Sequence, residues 1–377
     1  MKNLLYAIFT IVTLSLTASC GNTQRSPQEF LDTSEICYKP RYATGFELRS
    51  DNKGTTLLRV TRPWQGATTE QYLAMFDTAD DARGYAGEHI IGPARRVICM
   101  SSSHVAMLDA LGCADCIVGV SGKSYISTPS VAESSTIGDV GYDSNLNFEL
   151  MVALEPDVVL LYGIAAENSS VTAKLRELQI PYIYLGDYTE DTPLGKAEWL
   201  VPLAEIVGCR ERGERLFAEI ATRYESLCEM LTDNPSSVRV MLNTPYQDVW
   251  YMPSDDSYIV RLIEDAGATY IYKGKNPTGG SRGISLEEAY RLVAEADVWL
   301  NVGQCNTLDE LRSQVPQFME CRVVREGRIY NNNRRQTASG GSDFWESAIV
   351  HPDIVLEDLA AIFANSDKPL YYHKRIE

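Results

Sequence analysis

The stretch PARRVICMSSSHVAMLDALGCADCIVGVS, residues 93–121, decides how this chain folds. Residues 97–101 form an apolar run with the length of a buried strand, and residues 116–120 form a second one. Between them, residues 105–111 carry a helical pattern. A strand, a helix and a strand in this order predict two parallel strands joined by a crossover helix.

The same alternation continues along most of the chain. Short apolar runs bounded by turn residues predict further strands at residues 158–162, 182–185, 238–242, 248–252, 268–272 and 298–302. Helical patterns lie between them at residues 148–154, 171–178 and 286–294. We therefore expect an α/β fold with a largely parallel sheet in each half.

A long helical stretch separates the two halves. Its apolar stripe consists of Leu216, Phe217, Ile220, Tyr224, Leu227 and Leu231, and Pro202 marks a start or a kink. Two α/β lobes joined by a rigid helix leave a cleft between them, and open α/β sheets bind ligands beyond the carboxyl ends of their strands. The predicted architecture is therefore that of a binding protein with its ligand cleft between the lobes.

The N-terminus has the composition of an export signal. Lys2 is followed by 15 apolar or small residues, 4–18, and by the small residues before Cys20. This run is shorter than the roughly 20 residues that span a bilayer. Cys20 lies where bacterial lipoproteins carry lipid, although Thr17 replaces the usual leucine three residues before it. We expect lipidation of Cys20, the alternative being ordinary secretion with a free or disulfide-bonded cysteine.

These patterns divide the chain into six segments. Residues 38–92 contain GFELRSDNKGTTLLRVTRPW, which reads as a β-hairpin around an Asp-Asn-Lys-Gly turn. The expected order is a lipoprotein signal peptide (1–20), a polar tether (21–37), an N-terminal β addition (38–92), an N-terminal lobe (93–191), a connecting helix (192–232) and a C-terminal lobe (233–377).

Charge and cysteine content exclude some functions. The formal net charge is −17 and no run of Lys or Arg could follow a phosphate backbone, so we expect no nucleic-acid partner. Eight cysteines remain after Cys20, and their number does not define a disulfide connectivity. The pair Cys113 and Cys116 follows a helix C-terminus, whereas redox pairs use a helix N-terminus, so buried structural cysteines are expected at Cys99, Cys113 and Cys116.

Residues 93–121 and the following IGDVGYDSNLNFELMVALEPDVVLLYG, residues 137–163, resemble the iron-chelate and cobalamin periplasmic-binding family of ABC importers. The pattern combines a helix ending in Ala-Leu-Gly with Ile-Val-Gly-Val, Gly-Asp, Asn-x-Glu and Pro-Asp before an apolar strand. The resemblance continues through residues 284–303, 325–330 and 351–363. It covers about residues 93–366 and leaves residues 38–92 outside.

The resemblance implies a function in uptake. The ligand would be an iron or cobalt chelate, namely a ferric siderophore, haem or a corrinoid, and the protein would need no cofactor of its own. Its partners would be an ABC permease with its ATPase, and it would act as a lipid-anchored monomer on the outer side of a membrane. One exposed glutamate per lobe would dock onto the permease.

The match places these glutamates at Glu149 and Glu287. Eight residues separate Glu149 from Asp157, but ten separate Glu287 from Asp297, so Glu288 is an alternative to Glu287. Acidic residues also favour the first turn of a helix through its dipole, which would explain them without a partner.

Aromatic and cationic residues beside predicted strand ends are the candidates for ligand contact. They could form the apolar walls and cationic groups that suit planar or anionic chelates. The candidates are His104, Tyr142, Tyr162, Tyr246, Trp250, Tyr251, Arg282, Arg334, Arg335 and Trp345. Packing or surface roles explain any one of them equally well. Residues 340–346 suggest a tight loop that approaches a ligand, and Trp64 in the β addition has no assigned place.

Other functions fit the sequence less well than chelate binding. A bare zinc or manganese site needs converging ligands, but the chain has four histidines and only His104 lies at an expected cleft position. An enzyme is disfavoured because no GxSxG, HExxH, phosphate-binding or dinucleotide-binding motif occurs. A non-transport envelope lipoprotein or interaction subunit remains the alternative.

Overall fold

The computed structural model describes residues 25–142, 144–232 and 236–377. The signal segment 1–20, with Cys20, and the first part of the tether lie outside the described residues. No helix in the described part of the chain has the length and hydrophobicity needed to cross a bilayer.

The described chain begins with helix α1 (Pro27–Thr33) and an added sheet, which is larger than the expected hairpin. Five strands lie side by side in chain order: β1 (Glu35–Tyr38), β2 (Phe46–Ser50), β3 (Thr56–Val60), β4 (Gln71–Phe76) and β5 (His89–Ile91). The predicted hairpin is β2–β3, where the Asp51 carboxylate accepts the amides of Lys53 and Thr55. The other strands escaped prediction because β5 is three residues long and β4 buries consecutive side chains, which removes the alternating pattern.

The N-terminal lobe is built on a parallel sheet, as predicted. Its strands are β6 (Val97–Cys99), β7 (Ile117–Val120), β8 (Gly138–Asp139), β9 (Val158–Leu161) and β10 (Tyr182–Tyr184), in the order β10-β9-β6-β7-β8. Its helices are α2 (Ser102–Ala110), α3 (Pro129–Ala132), α4 (Phe148–Ala153) and α5 (Ser169–Glu177). The strand order reverses between β6 and β9, which is where sheets of this kind bind ligands.

The connecting segment is three helices, not the single helix expected over 192–232. These are α6 (Pro193–Glu198), α7 (Leu200–Ile206) and α8 (Arg210–Thr232). The chain turns at Trp199, which caps α6, and again at Gly208, whose positive φ of 72° ends α7. Only α8, with 23 residues and a length of about 34 Å, is a long rigid element.

The C-terminal lobe repeats the α/β plan with one addition. Its strands are β11 (Arg239–Leu242), β12 (Val249–Met252), β13 (Thr269–Tyr270), β14 (Arg282–Ser285), β15 (Val298–Leu300), β16 (Ile329–Asn331) and β17 (Lys374–Arg375). Its helices are α9 (Tyr258–Asp265), α10 (Leu286–Glu295), α11 (Leu308–Gln314), α12 (Arg322–Arg325) and α13 (Pro352–Phe363). The main sheet has the order β13-β11-β15-β16-β17, while β12 and β14 form a separate antiparallel ribbon.

The helices α7 and α8 join the two lobes. Helix α7 packs against α2 of the N-terminal lobe, and α8 packs against α13 of the C-terminal lobe. The unequal spacing of the two glutamate motifs follows from the two helices and the turns after them. Helix α10 is four residues longer than α4, and Asp297 follows its helix two residues sooner than Asp157 does, which leaves a difference of two.

The lobes also meet directly through Glu346. This buried carboxylate accepts hydrogen bonds from the amides of Ser127 and Thr128, both at 2.7 Å, across the lobe boundary. Gly341 packs against the backbone of Tyr125, where the carbonyl oxygen would collide with any β-carbon. The glycine of this loop therefore serves contact between the lobes.

All eight cysteines that the structure describes are free thiols. Cys99 and Cys116 are buried, in agreement with the expected structural role, and Cys113 is half-buried with its sulfur 3.8 Å from that of Cys209. Cys113 and Cys116 follow the end of α2, as predicted.

Two buried carboxylates attach the added sheet to the helices. Glu198 accepts the amides of Arg41, Tyr42 and Ala43 at 2.7–2.8 Å, together with the Tyr38 hydroxyl. Glu190 accepts the amides of residues 44 and 45 and the Trp199 indole N–H. The link between β1 and β2 is thereby fixed against α6, because the buried amides of Ala43 and Gly45 would otherwise have no partner.

Replacing Glu198 by Ala should strongly destabilise the fold. Three backbone amides would lose their acceptor, and leaving a buried donor unsatisfied costs roughly 1–3 kcal/mol each, so we expect a loss of about 3 kcal/mol or more. Urea denaturation followed by circular dichroism measures this free energy. The control is Glu219→Ala on the exposed face of α8, which should change stability by less than about 0.5 kcal/mol. Equal unfolding midpoints for the two variants would contradict the role of Glu198.

Candidate functional site

A cavity of about 800 Å³ lies between the lobes. Its volume is in the range of small-molecule sites, about 300–1,000 Å³. Four parts of the chain line it: the added sheet (62–66), the N-terminal lobe (101–103, 162 and 164), the segment 187–196 and the C-terminal lobe (253–259, 279–281, 344, 345 and 349). The site therefore depends on the assembly of the whole molecule.

The N-terminal lobe supplies residues from its topological switch point. Ser101 follows β6 and caps α2, while Tyr162 and Ile164 follow β9, the neighbouring strand. Because parallel strands end at one edge of the sheet, these side chains reach the cavity together. The position of this wall agrees with the prediction from sequence.

His104 lies behind this wall rather than in it. Its side chain is fully buried, and its Nε2 lies 3.4 Å from Oδ1 of Asp187, longer than an ordinary hydrogen bond. Asp187 itself lines the cavity and accepts a 3.0 Å hydrogen bond from the Ser103 hydroxyl. The expected contact of His104 with ligand is therefore not formed, because α2 turns the ring into the lobe, where it contacts Asp187.

The charges around Asp187 favour its ionised form. Burial alone would raise the pKa of the Asp187 carboxyl, but His104, Lys196 and Ser103 together bring that pKa below its usual value of 3.8. Lys196 donates to the carbonyl oxygens of Asp187 and Tyr188 at 3.0 and 3.2 Å. Burial lowers the pKa of Lys196, while the nearby carboxylates oppose that change.

The C-terminal wall comes from loops and from the start of α9. Residues 253–259 lead into α9, and Tyr258 lies with its ring centroid 5.1 Å from the Lys196 ammonium, across the cavity. Phe344 and Trp345 add an aromatic pair with centroids 4.9 Å apart, and 63% of the Trp345 surface is exposed. This wall does not use the ends of the main-sheet strands, which is where we expected it.

Two of the predicted ligand residues, Tyr162 and Trp345, line the cavity. Trp250 is fully buried in the C-terminal core, where its indole N–H donates to the Leu242 carbonyl at 2.8 Å, so this prediction was wrong. The remaining candidates are exposed outside the cavity lining: Tyr142, Tyr246, Tyr251, Arg282, Arg334 and Arg335. Arg335 pairs with Asp343 and stacks on Tyr371.

Their displacement has a topological cause. Tyr246 precedes the ribbon β12–β14 and Tyr251 lies within β12. Because this ribbon lies apart from the main sheet, both tyrosines are exposed at the surface. Sequence alone treated 248–252 as one more strand of the parallel sheet.

The charge of the cavity is opposite to the expectation of cationic groups for anionic chelates. Among the described residues that line it, two side chains are cationic, Arg62 and Lys196, and four are acidic, Asp187, Glu190, Asp191 and Asp256. Arg62 pairs with the buried Glu190 at 3.2 Å. Lys196, Asp191 and Asp256 have no ion pair within the described chain, and the four carboxylates outnumber the two cations, so the cavity carries a net negative charge.

The added sheet contributes residues that sequence reasoning did not assign. Arg62, Trp64, Gln65 and Gly66 line the cavity, and Trp64 packs edge-on against Tyr184 with ring centroids 5.2 Å apart. The one available signal was the aromatic RPWQGA segment after a predicted strand. Periodicity could not show that this segment reaches a cleft whose other lining residues lie between Ser101 and Ile349.

The predicted docking glutamates lie on the surface. Glu149 and Glu287 are exposed in the first turns of α4 and α10, and Glu288 is half-buried. Asn147 and Ser285 cap these helices by accepting the amides of Leu150 and Glu288. Neither Glu149 nor Glu287 pairs with another described residue, and within the described ranges no three metal-ligating side chains cluster.

Comparison with known proteins places the two lobes in a family. The sequence profile described as "Periplasmic binding protein" matches residues 97–332. An uncharacterized lipoprotein of Methanocaldococcus jannaschii is 26% identical over 283 residues, which cover 72% of this chain and 65% of that protein. The chain thus spans somewhat less than two thirds of this relative.

Solved structures share the fold. A periplasmic heme binding protein from Pseudomonas aeruginosa has a TM-score of 0.57 at 20% identity, covering 75% of this chain and 98% of that one. The periplasmic vitamin B12 binding protein of Vibrio cholerae gives 0.53 at 14% identity and 74% and 99% coverage. The Fe3+-Desferal bound siderophore binding protein from the same organism gives 0.52 at 19% identity and 71% and 98% coverage.

Substitution of Asp187 should weaken the dependence of the free energy of unfolding on pH in the acidic range. Because the pKa of Asp187 is lowered in the folded protein, its stabilising contribution is present above pH 3.8 and is lost as the pH falls through the folded-state value. In Asp187→Asn, the free energy of unfolding should differ from wild type most near neutral pH and least near pH 3. Urea denaturation between pH 3 and 7 measures the difference.

Asp191→Asn is the matched control, because the effect of pH on its stability relative to wild type should have the opposite sign. Burial raises the pKa of Asp191, and the charge of Asp256 adds to that rise while Arg62 opposes it. Its charged form therefore costs stability above the raised pKa, so this variant should gain on wild type as the pH increases. A difference between wild type and Asp187→Asn that is constant with pH would contradict the assignment.

Proposed function

Since the chain belongs to the periplasmic binding protein family, we propose that it captures a metal chelate and delivers it to an ABC permease with its ATPase. The chelate is a ferric siderophore, haem or a corrinoid. The observation that carries this proposal is the cavity of about 800 Å³ between the lobes, with aromatic side chains on both sides. The family consists of substrate-binding proteins, not enzymes.

The lining of the cavity supports a bulky and partly apolar ligand. Trp64 and Tyr162 lie on one side, and Tyr258, Phe344 and Trp345 lie on the other. Aromatic faces at this density suit a large ligand with extended apolar surface, and the scattered hydroxyls and carboxylates suit its polar substituents. A hydrated metal ion would need converging ligands instead.

We also propose that the protein works on the outer side of a membrane as a lipid-anchored monomer. Cys20 would be the first residue of the mature chain and carry the lipid. Residues 25–37 do not form the expected polar tether, because α1 and β1 belong to the folded N-terminal addition and Phe30 is fully buried in its core. The naming of the Methanocaldococcus jannaschii relative as a lipoprotein supports this view. Uptake of a labelled fatty acid by wild type, with none in Cys20→Ala, is the expected result.

Truncation of the lining aromatics should weaken chelate binding. Each aromatic face buried by a ligand contributes roughly 1–3 kcal/mol, so Trp345→Ala and Tyr162→Ala should each lower affinity by that amount. Calorimetric titration with haemin, cyanocobalamin and ferrioxamine B identifies the chelate and measures the loss. Tyr246→Ala, an exposed aromatic outside the cavity, is the control and should bind like wild type. The proposal fails if wild type binds none of these chelates and purifies without a coloured ligand.

Removal of the docking glutamates should block delivery without affecting capture. Losing one charge of a docked ion pair costs about 2–5 kcal/mol of binding, so Glu149→Ala with Glu287→Ala should abolish or slow uptake. Chelate affinity and folding should stay unchanged, because both side chains are exposed. Chelate-stimulated ATPase activity of the reconstituted transporter is the measurement.

Glu320→Ala provides the control for a lost surface charge, since Glu320 is exposed in the same lobe as Glu287. Glu288→Ala should be added to the double variant, because the longer α10 leaves two possible docking residues. Full ATPase stimulation by the triple variant would show that these residues are only helix-terminal charges.

A further inference from the structure

The loop between β3 and β4 of the added sheet reaches the cavity although it lies outside the family match. The match begins at residue 97, whereas residues 61–70 join β3 to β4, and the first seven of them, residues 61–67, form the loop at the cavity. Arg62, Trp64, Gln65 and Gly66 line the cavity together with both lobes. This position gives the added sheet a task beyond covering the surface of the N-terminal lobe.

The loop spans the gap between the two lobes. On one side, the Gln65 amide donates to the Ile164 carbonyl at 3.1 Å, just after β9. On the other side, a β-carbon at Gly280 in the C-terminal lobe would lie 3.9 Å from Nε2 of Gln65. Gln65 is thus fixed by its backbone to one lobe while its exposed side chain extends toward the other.

The base of the loop is rigid. Arg62 bonds to the Thr44 hydroxyl and to the buried carboxylate of Glu190. Its carbonyl oxygen packs so closely on Gly186 that a β-carbon there would collide with it. Trp64 is only 8% exposed, and its ring is held against Tyr184. A loop fixed at these points keeps one position when a ligand enters, so it acts as a wall.

The charges near the loop indicate which ligand this wall admits. The Arg62 charge is balanced by Glu190, so it offers little attraction to an anion. Lys196 donates to backbone carbonyls and has no ion pair in the described chain, but the four carboxylates of the lining outnumber its two cations. Asp191 and Asp256 also have no ion pair there, and they lie close enough for the charge of one to act on the other. A ligand with net negative charge would be repelled here, whereas a neutral or cationic one would not.

We propose that the loop 61–67 is a third wall of the ligand cleft, and that the completed cleft selects chelates with an apolar face and no net negative charge. This inference rests on the proposed function. Neutral corrinoids and cationic trishydroxamate complexes belong to the admitted class. Haem, with its two propionates, and ferric tris-catecholates belong to the rejected class.

A larger side chain at Gln65 tests whether the loop 61–67 forms a wall of the ligand cleft. Wild type, Gln65→Trp and Thr69→Trp are titrated in a calorimeter with cyanocobalamin, ferrioxamine B, haemin and a ferric tris-catecholate. Thr69 is exposed on the same connection but does not line the cavity, so it controls for the added tryptophan. We expect Gln65→Trp to weaken the best chelate by about tenfold or more, while Thr69→Trp stays within about twofold of wild type.

A double variant of the acidic lining residues tests the charge selection. Asp191→Asn combined with Asp256→Asn should reduce the preference of wild type for the neutral or cationic chelates over the anionic ones by about tenfold. Gln65→Ala, which leaves the backbone bond to Ile164 intact, should weaken binding by about threefold and decides the matter if Gln65→Trp does not fold.

The possible results test the proposed function, the wall and the charge selection separately. Wild type that binds none of the four chelates overturns the proposed function and this inference with it. Wild type that binds one chelate, with unchanged affinity in Gln65→Trp and Gln65→Ala, overturns the wall alone. Tighter binding of haemin or the tris-catecholate than of the other two overturns the charge selection.

Discussion

Two buried carboxylates, Glu190 and Glu198, hold the backbone of residues 41–45 and thereby position the whole added sheet. A carboxylate loses its hydration when it is buried, and only several well-placed donors make that tolerable. The segment between β1 and β2 supplies such donors as consecutive main-chain amides. Glu198 lies in α6 and Glu190 just before it, so the sheet is fixed to the helices that also join the lobes.

The cavity depends on this attachment. Arg62 follows the sheet's third strand and bonds to the same Glu190 that receives the amide of Gly45. One side chain therefore aligns the base of the sheet and the base of the loop that lines the cavity. The family match starts after this sheet, so its residues add a surface to a cleft that two lobes would otherwise form alone.

The parts of the fold that could be predicted from sequence are those where burial leaves a local pattern. Most strands of the two main sheets are continuous apolar runs, because parallel strands are covered on both faces, and those predicted agree with the structure to within one or two residues. The short strands β8 and β17 carry polar residues and were not predicted, and neither was β16. The added sheet was underestimated because β4 and β5 lack a pattern of their own. Residues 192–232 looked like one helix because the apolar side chains on both sides of the turn at Trp199 are buried in the same core.

The site was harder to predict because it is formed by distant segments. Tyr162 was found since it follows a buried strand, where the rule for parallel sheets applies directly. Trp250 was misassigned because an aromatic residue in a short apolar run has the same local signature in a core as beside a ligand. The acidic character of the cavity was invisible, since Asp191 and Asp256 are 65 positions apart and meet only when the lobes assemble.

The contact of Glu346 with Ser127 and Thr128 bears on how a full molecule differs from an empty one. These hydrogen bonds join the lobes and oppose a change of the angle between them when a ligand binds. In a transport role, the outer shape of the empty protein would then match that of the loaded protein, and the two forms would compete for the same membrane partner. When the ligand is scarce, the rate of its uptake would depend on the ratio of binding protein to transporter. An excess of empty binding protein would then inhibit uptake by occupying the transporter.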